Sequence, residues 1–87
     1  MHSHFREFVI GIEIDGIDDQ MKRIREQLRY GRERIDQIWL QEHQSYLAFC
    51  NEYQSATNVV INLLERQLEL IRQRRVLMTR LRSCREP

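Results

Sequence analysis

From Ile10 the chain places apolar residues at alternating steps of four and three: Ile10, Ile14, Ile17, Met21, Ile24 and Leu28. A helix with that spacing buries one stripe against a neighbouring helix. Followed at steps of three or four, the stripe continues through Gly31, Ile35, Trp39, Glu42, Tyr46, Phe49, Tyr53, Ala56, Val60, Leu63, Gln67, Leu70, Arg74, Leu77, Leu81 and Cys84. Two consecutive fours, from Gly31 through Ile35 to Trp39, form an insertion that would locally relax a left-handed supercoil. No proline interrupts the pattern before Pro87. The pattern predicts an all-α protein built as a coiled coil or helical bundle.

The first segment supports two readings. Phe8, Ile10, Ile12 and Ile14 alternate with the period of a half-buried strand, while Ile10, Ile14 and Ile17 belong to the helical stripe. Gly11 and Gly16 would each cost a helix interior about 1 kcal/mol relative to alanine. On that ground residues 1–16 are expected to form an extended or irregular arm. Asp15 then caps a helix that starts near Ile17, with Asp18 and Asp19 at the positive end of its dipole. The helical module is placed at 17–84 and a short tail at 85–87.

Whether the chain reverses decides the architecture. The best candidate turn is 51–58, where Ser55, Thr57 and Asn58 are poor helix formers, although no Gly or Pro lies there. Without a turn, a helix over 17–84 would be about 100 Å long and could bury its stripe only by oligomerising. A long helix and a two-helix hairpin both remain open at this point. In either, Val60, Ile61, Leu63, Leu64, Leu68, Leu70, Ile71, Leu77, Met78 and Leu81 spread over about half the helix circumference, wider than one neighbour requires. A four-helix arrangement of two hairpins or overlapped long helices would cover that arc.

Size points the same way. Eighty-seven residues make at most one domain, near the limit below which a single core gives about 3–5 kcal/mol. With 41% hydrophobic and 31% charged residues the composition is not that of a disordered tail. No apolar run approaches the roughly 20 residues of a membrane span, and no signal-peptide pattern opens the chain. The expected location is intracellular, cytoplasmic or nuclear, rather than secreted. Cys50 and Cys84 form no CxxC pair and read as idle thiols.

Net charge is only +1, but it comes in blocks. Glu7 to Asp19 carries five acids and no base, Lys22 to Arg34 is +4, Asp36 to Glu69 is −4, and Arg72 to Arg85 is +6. Such alternation suits staggered or antiparallel self-association. Thirteen of the fourteen basic residues are arginine, which favours bidentate pairing with carboxylate or phosphate.

Chemistry is sparse. Ile14-Asp-Gly-Ile17-Asp18-Asp-Gln20-Met21 resembles the opening of the first helix of the small all-helical chorismate mutases over eight residues. That resemblance implies an arginine one heptad further on and a lysine eleven residues beyond it. Leu28 and Trp39 stand at those positions, so no catalytic residue is carried over. His2 and His4 flank Ser3 near the start, and His43 lies between Trp39 and Tyr46 on a helix. With Cys50, His43 supplies two groups where zinc needs three or four. No Ser-His-Asp set or phosphate loop is visible. The expectation is a non-enzymatic protein with no metal and no cofactor.

The arginines Arg72, Arg74, Arg75, Arg80, Arg82 and Arg85 are candidates for anion binding, whether nucleic-acid phosphate, an anionic lipid surface or an acidic protein. On a helix they fall at scattered angles, with Arg74 inside the apolar arc, so pairing with acids across a helix interface is the better reading. Trp39, Tyr46, Phe49 and Tyr53 lie on the stripe in the least basic part of the chain, which suits core packing over base stacking. The expected function is a helical protein–protein interaction and assembly module, self-associating or docking as a small subunit of a larger complex. The alternative is a small dimeric nucleic-acid-binding protein using its Arg-rich helix ends. The contact is expected to run through Ile17, Met21, Ile24, Leu28, Ile35, Trp39, Tyr46, Phe49, Tyr53, Val60, Leu63, Leu64, Leu70, Ile71, Leu77 and Leu81, with a homo-oligomer or a helical protein as partner.

Overall fold

The computed structural model describes residues 2–85, without the side chains of His2 and Ser3; residues 86 and 87 of the expected tail lie outside it. Helix α1 spans His2–Leu40 and helix α2 spans Tyr46–Arg85. They pack antiparallel as a hairpin with principal extents of 66 × 15 × 12 Å. The all-α class holds, and the choice left open between rod and hairpin resolves to the hairpin.

Packing follows the four-three stripe. Ile14, Ile17, Ile24, Leu28, Leu70 and Leu77 form a buried core, with Ile10, Met21, Val60, Leu63, Met78 and Leu81 packed against it. The extended arm over 1–16 is therefore corrected: from His2 the segment is helical, and Asp15 lies within a helix rather than capping one. Burial of Ile10, Ile14 and Ile17 against α2 outweighs the roughly 1 kcal/mol that each glycine costs. At Gly31 the small residue is required, because a Cβ there would meet Val60 Cγ2 at 2.8 Å.

The turn is also corrected, from 51–58 to residues 41–45, between the two helices. No Gly or Pro makes it; side chains close both helix ends. His43 Nε2–H donates to the Ile38 carbonyl at 2.7 Å, satisfying one of the open acceptors at the end of α1. Ser45 caps α2, its Oγ accepting the Ala48 amide at 3.0 Å. Thr57 stays inside α2 by bonding its hydroxyl back to the Tyr53 carbonyl at 2.9 Å, a common accommodation of threonine in a helix.

One stripe position moves as well. Ile38 is fully buried (0% exposed) while Trp39 is 62% exposed. The α1 stripe thus reads Ile10, Ile14, Ile17, Met21, Ile24, Leu28, Gly31, Ile35, Ile38, in strict four-three alternation, and the predicted double-four insertion is absent. On α2 the stripe residues Phe49, Tyr53, Ala56, Val60, Leu63, Gln67, Leu70, Arg74, Leu77, Leu81 and Cys84 are all half-buried or buried, as the spacing predicts, and Ala48, Cys50, Thr57 and Met78 are half-buried beside them.

Candidate interaction surface

The hairpin's inner stripes use up most of the residues expected at a partner contact. Ile17, Met21, Ile24, Leu28, Val60, Leu63, Leu70, Leu77 and Leu81 meet one another between α1 and α2, and Ile35 is half-buried beside them. Near the turn, Trp39 packs edge-on against Phe49 and Tyr53, with centroids at 4.9 and 5.6 Å. Tyr46 reaches Phe49 at 6.4 Å but remains mostly exposed. A hydrogen bond with the Cys50 thiol, then that thiol's charge, push the Tyr46 phenol above its ordinary value.

Leu64 and Ile71 behave differently. They lie on a second stripe of α2, Ile61, Leu64, Leu68, Ile71, Arg75 and Met78, again at steps of three and four. Ile61, Leu64, Leu68 and Ile71 are exposed, Leu68 at 48%. This stripe sits about 100° around α2 from the one that packs on α1, as 3.6 residues per turn requires. It is the physical form of the broad apolar arc visible in the sequence.

Like flanks of an antiparallel helix pair fall on the same side. On the side that carries the second stripe of α2, α1 presents Phe8, Gly11, Asp15, Asp18, Lys22, Arg25, Arg29, Arg32, Asp36 and Trp39. The open clefts lie on the opposite side. The largest, about 550 Å³, is lined by Gly16, Gln20, Gln73 and Val76 among others, and a second by Tyr30, Gly31 and Val59. Small residues and flexible polar ones leave those clefts shallow and without a converging set of reactive groups.

The six candidate anion-binding arginines do not gather. Arg74 pairs with Asp18 of α1 at 2.7 Å; the hydrogen bond, then the charge, of that carboxylate raise the arginine's pKa above its ordinary value. Arg85 pairs with Glu7 at 3.8 Å. Arg72 and Arg80 line the large cleft, whereas Arg75 and Arg82 lie on the side of the second stripe. Acids of the Glu7–Asp19 block thus take up two of the six, as the pairing reading expects.

His43 is held at the turn by the Ile38 carbonyl and by Glu52, whose carboxylate lies 3.5 Å from Nδ1. Among the described residues no group of three or more His, Cys, Asp or Glu is placed to hold a metal ion, and no helix is long and apolar enough to cross a membrane. No protein family, curated protein or solved structure matches this chain.

Proposed function

We propose that the chain is a non-enzymatic helical assembly module, self-associating or docking as a small subunit of a larger complex. The observation that carries this reading is surplus exposed surface, to which Ile61, Leu64, Leu68 and Ile71 contribute. A monomer of 10.7 kDa is expected to expose about 5,500 Å², whereas the hairpin exposes 7174 Å². The difference, about 1,700 Å² per chain, is of the size that obligate interfaces remove from each partner.

Shape gives the same indication. The radius of gyration is 19.6 Å, against about 12 Å for a compact chain of this length. Only seven hydrophobic residues are buried among the described ones. Two helices in contact along one stripe leave a core too thin to stabilise a chain of this size well without a further layer.

The reading is tested by mass in solution. Sedimentation or light scattering should report more than one chain at micromolar concentration. Leu64→Glu with Ile71→Glu should abolish the association while leaving helix content intact, since neither side chain belongs to the inner core. Leu63→Glu with Leu70→Glu should instead unfold the hairpin. A wild-type protein that stays a single folded chain at hundreds of micromolar, and binds no helical partner, contradicts the proposal.

Phosphate binding by the Arg-rich end of α2 is a second reading, favoured by the block of +6 without an acid. Its sign would be retardation of DNA or RNA that falls steeply with salt.

A further inference from the structure

The clefts on the side away from the second stripe join end to end. The cleft at the open end of the hairpin shares Arg80 with the largest one, which in turn shares Gln20 with the next. That one shares Gln27 and Leu63 with the cleft at Gly31, which meets the last, near the turn, at Arg34, Ala56 and Val59. Together they make one groove between the helices, running along α1 from Arg6 to Arg34, about 42 Å at 1.5 Å per residue.

Its floor is apolar and its rims are basic. Ile17 and Leu77 are buried at the bottom, while Val59 and Val76 lie open along it, 54% and 51% exposed. Three arginines stand on each rim: Arg6, Arg23 and Arg34 from α1, and Arg66, Arg72 and Arg80 from α2. All six are exposed, and among the described residues none of them takes part in an ion pair. Three carboxylates also line the groove, Glu13, Glu52 and Glu69, of which Glu52 faces His43 and Glu69 accepts from Gln73. The arginines outnumber them two to one, and they border the floor on both sides.

From this arrangement we infer that the groove docks a helix of another protein, one whose apolar stripe is bordered on both sides by Asp or Glu. The stripe fills the floor as a third helix against the hairpin, and the acids meet the arginine rims. The inference rests on the docking form of the assembly reading and names the partner's chemistry. Two other occupants match less of the groove. A nucleic-acid backbone answers the arginines but leaves the apolar floor without a partner. A second copy's open stripe lies on the side that carries Lys22, Arg25, Arg29 and Arg32, and brings bases to basic rims.

Two synthetic helical peptides of about 28 residues, the length of the groove, test this by fluorescence anisotropy with the full chain. Both carry the same leucine stripe, bordered in one by glutamate and in the other by lysine. The glutamate peptide should bind and the lysine peptide should not. Arg23→Glu with Arg66→Glu, one change on each rim, should weaken binding by about tenfold. Gly16→Leu should weaken it through the floor: a Cβ there meets nothing within 4 Å, so the hairpin is kept while the new side chain occupies the largest cleft. Helix content checks the folding of each variant.

Leu64→Glu with Ile71→Glu, which alters only the second stripe, should bind the glutamate peptide as the wild type does. Loss of the peptide in that variant places it on the second stripe and overturns the groove. Equal binding of the two peptides, no binding of the glutamate peptide, or preference for a single-stranded oligonucleotide over it also overturns the inference. None of these results alters the mass of the chain alone in solution, which tests self-association separately.

Discussion

Gly31 and Gly11 are both helical, yet their substitution should act in opposite directions. At Gly31 a methyl group would come within 2.8 Å of Val60 Cγ2, and valine's branched side chain has little freedom to turn away. Overpacking of that kind costs about 1–3 kcal/mol, more than the roughly 1 kcal/mol gained in helix propensity. Gly31→Ala should therefore lower stability by about 1 kcal/mol or slightly more. At Gly11 nothing lies within 4 Å of the new atom, so Gly11→Ala should raise stability by about 0.5–1 kcal/mol. Urea unfolding of the two variants decides it, with no change in the steepness of the transition. The same residues explain an error in the sequence reading. Glycine has a cost that can be read locally, but the burial that offsets it at Ile10, Ile14 and Ile17 depends on a helix some 60 residues away in the chain.

At the scale of the element, the inner stripes were legible from spacing, and the turn was not. Taking Trp39 rather than Ile38 as the stripe residue carried the pattern on through Tyr46 to Phe49 and concealed the break. With Ile38 in place, the next two positions at steps of four and three are Glu42 and Ser45. Two polar residues in a row mark the lapse of the stripe. The closing devices themselves, a histidine on the last carbonyls of α1 and a serine on the first amides of α2, carry weaker sequence signals than Gly or Pro.

Burial gives a check on this assignment. Ile38→Ala should cost about 2–4 kcal/mol as a buried large-to-small change. Trp39→Ala should cost the folded chain less, because much of the indole faces outward, and should weaken association more. The broad arc of α2 was visible as composition, but its division into one stripe that packs on α1 and one left open follows only from the hairpin.

For the whole molecule, the thin core and the surplus exposed surface belong together. Two helices of 39 and 40 residues in contact along one seam cannot bury apolar residues that occupy two seams. The charge blocks were read as suited to staggered or antiparallel self-association; two pairs that join the first and last blocks, Asp18–Arg74 and Glu7–Arg85, lie inside the chain. What spacing alone did not disclose is which charges remain for a partner, since that depends on the register in which α2 returns along α1.

Small-angle X-ray scattering with absolute mass tests the central claim most directly, that this chain is an antiparallel hairpin which completes its core by association. The account predicts a particle of at least twice the 10.7 kDa chain mass, with a longest dimension near the hairpin's 66 Å plus the thickness of its surface side chains. A particle of about 100 Å, the length of an unbroken helix, contradicts the hairpin. A mass of one chain at every concentration contradicts the assembly.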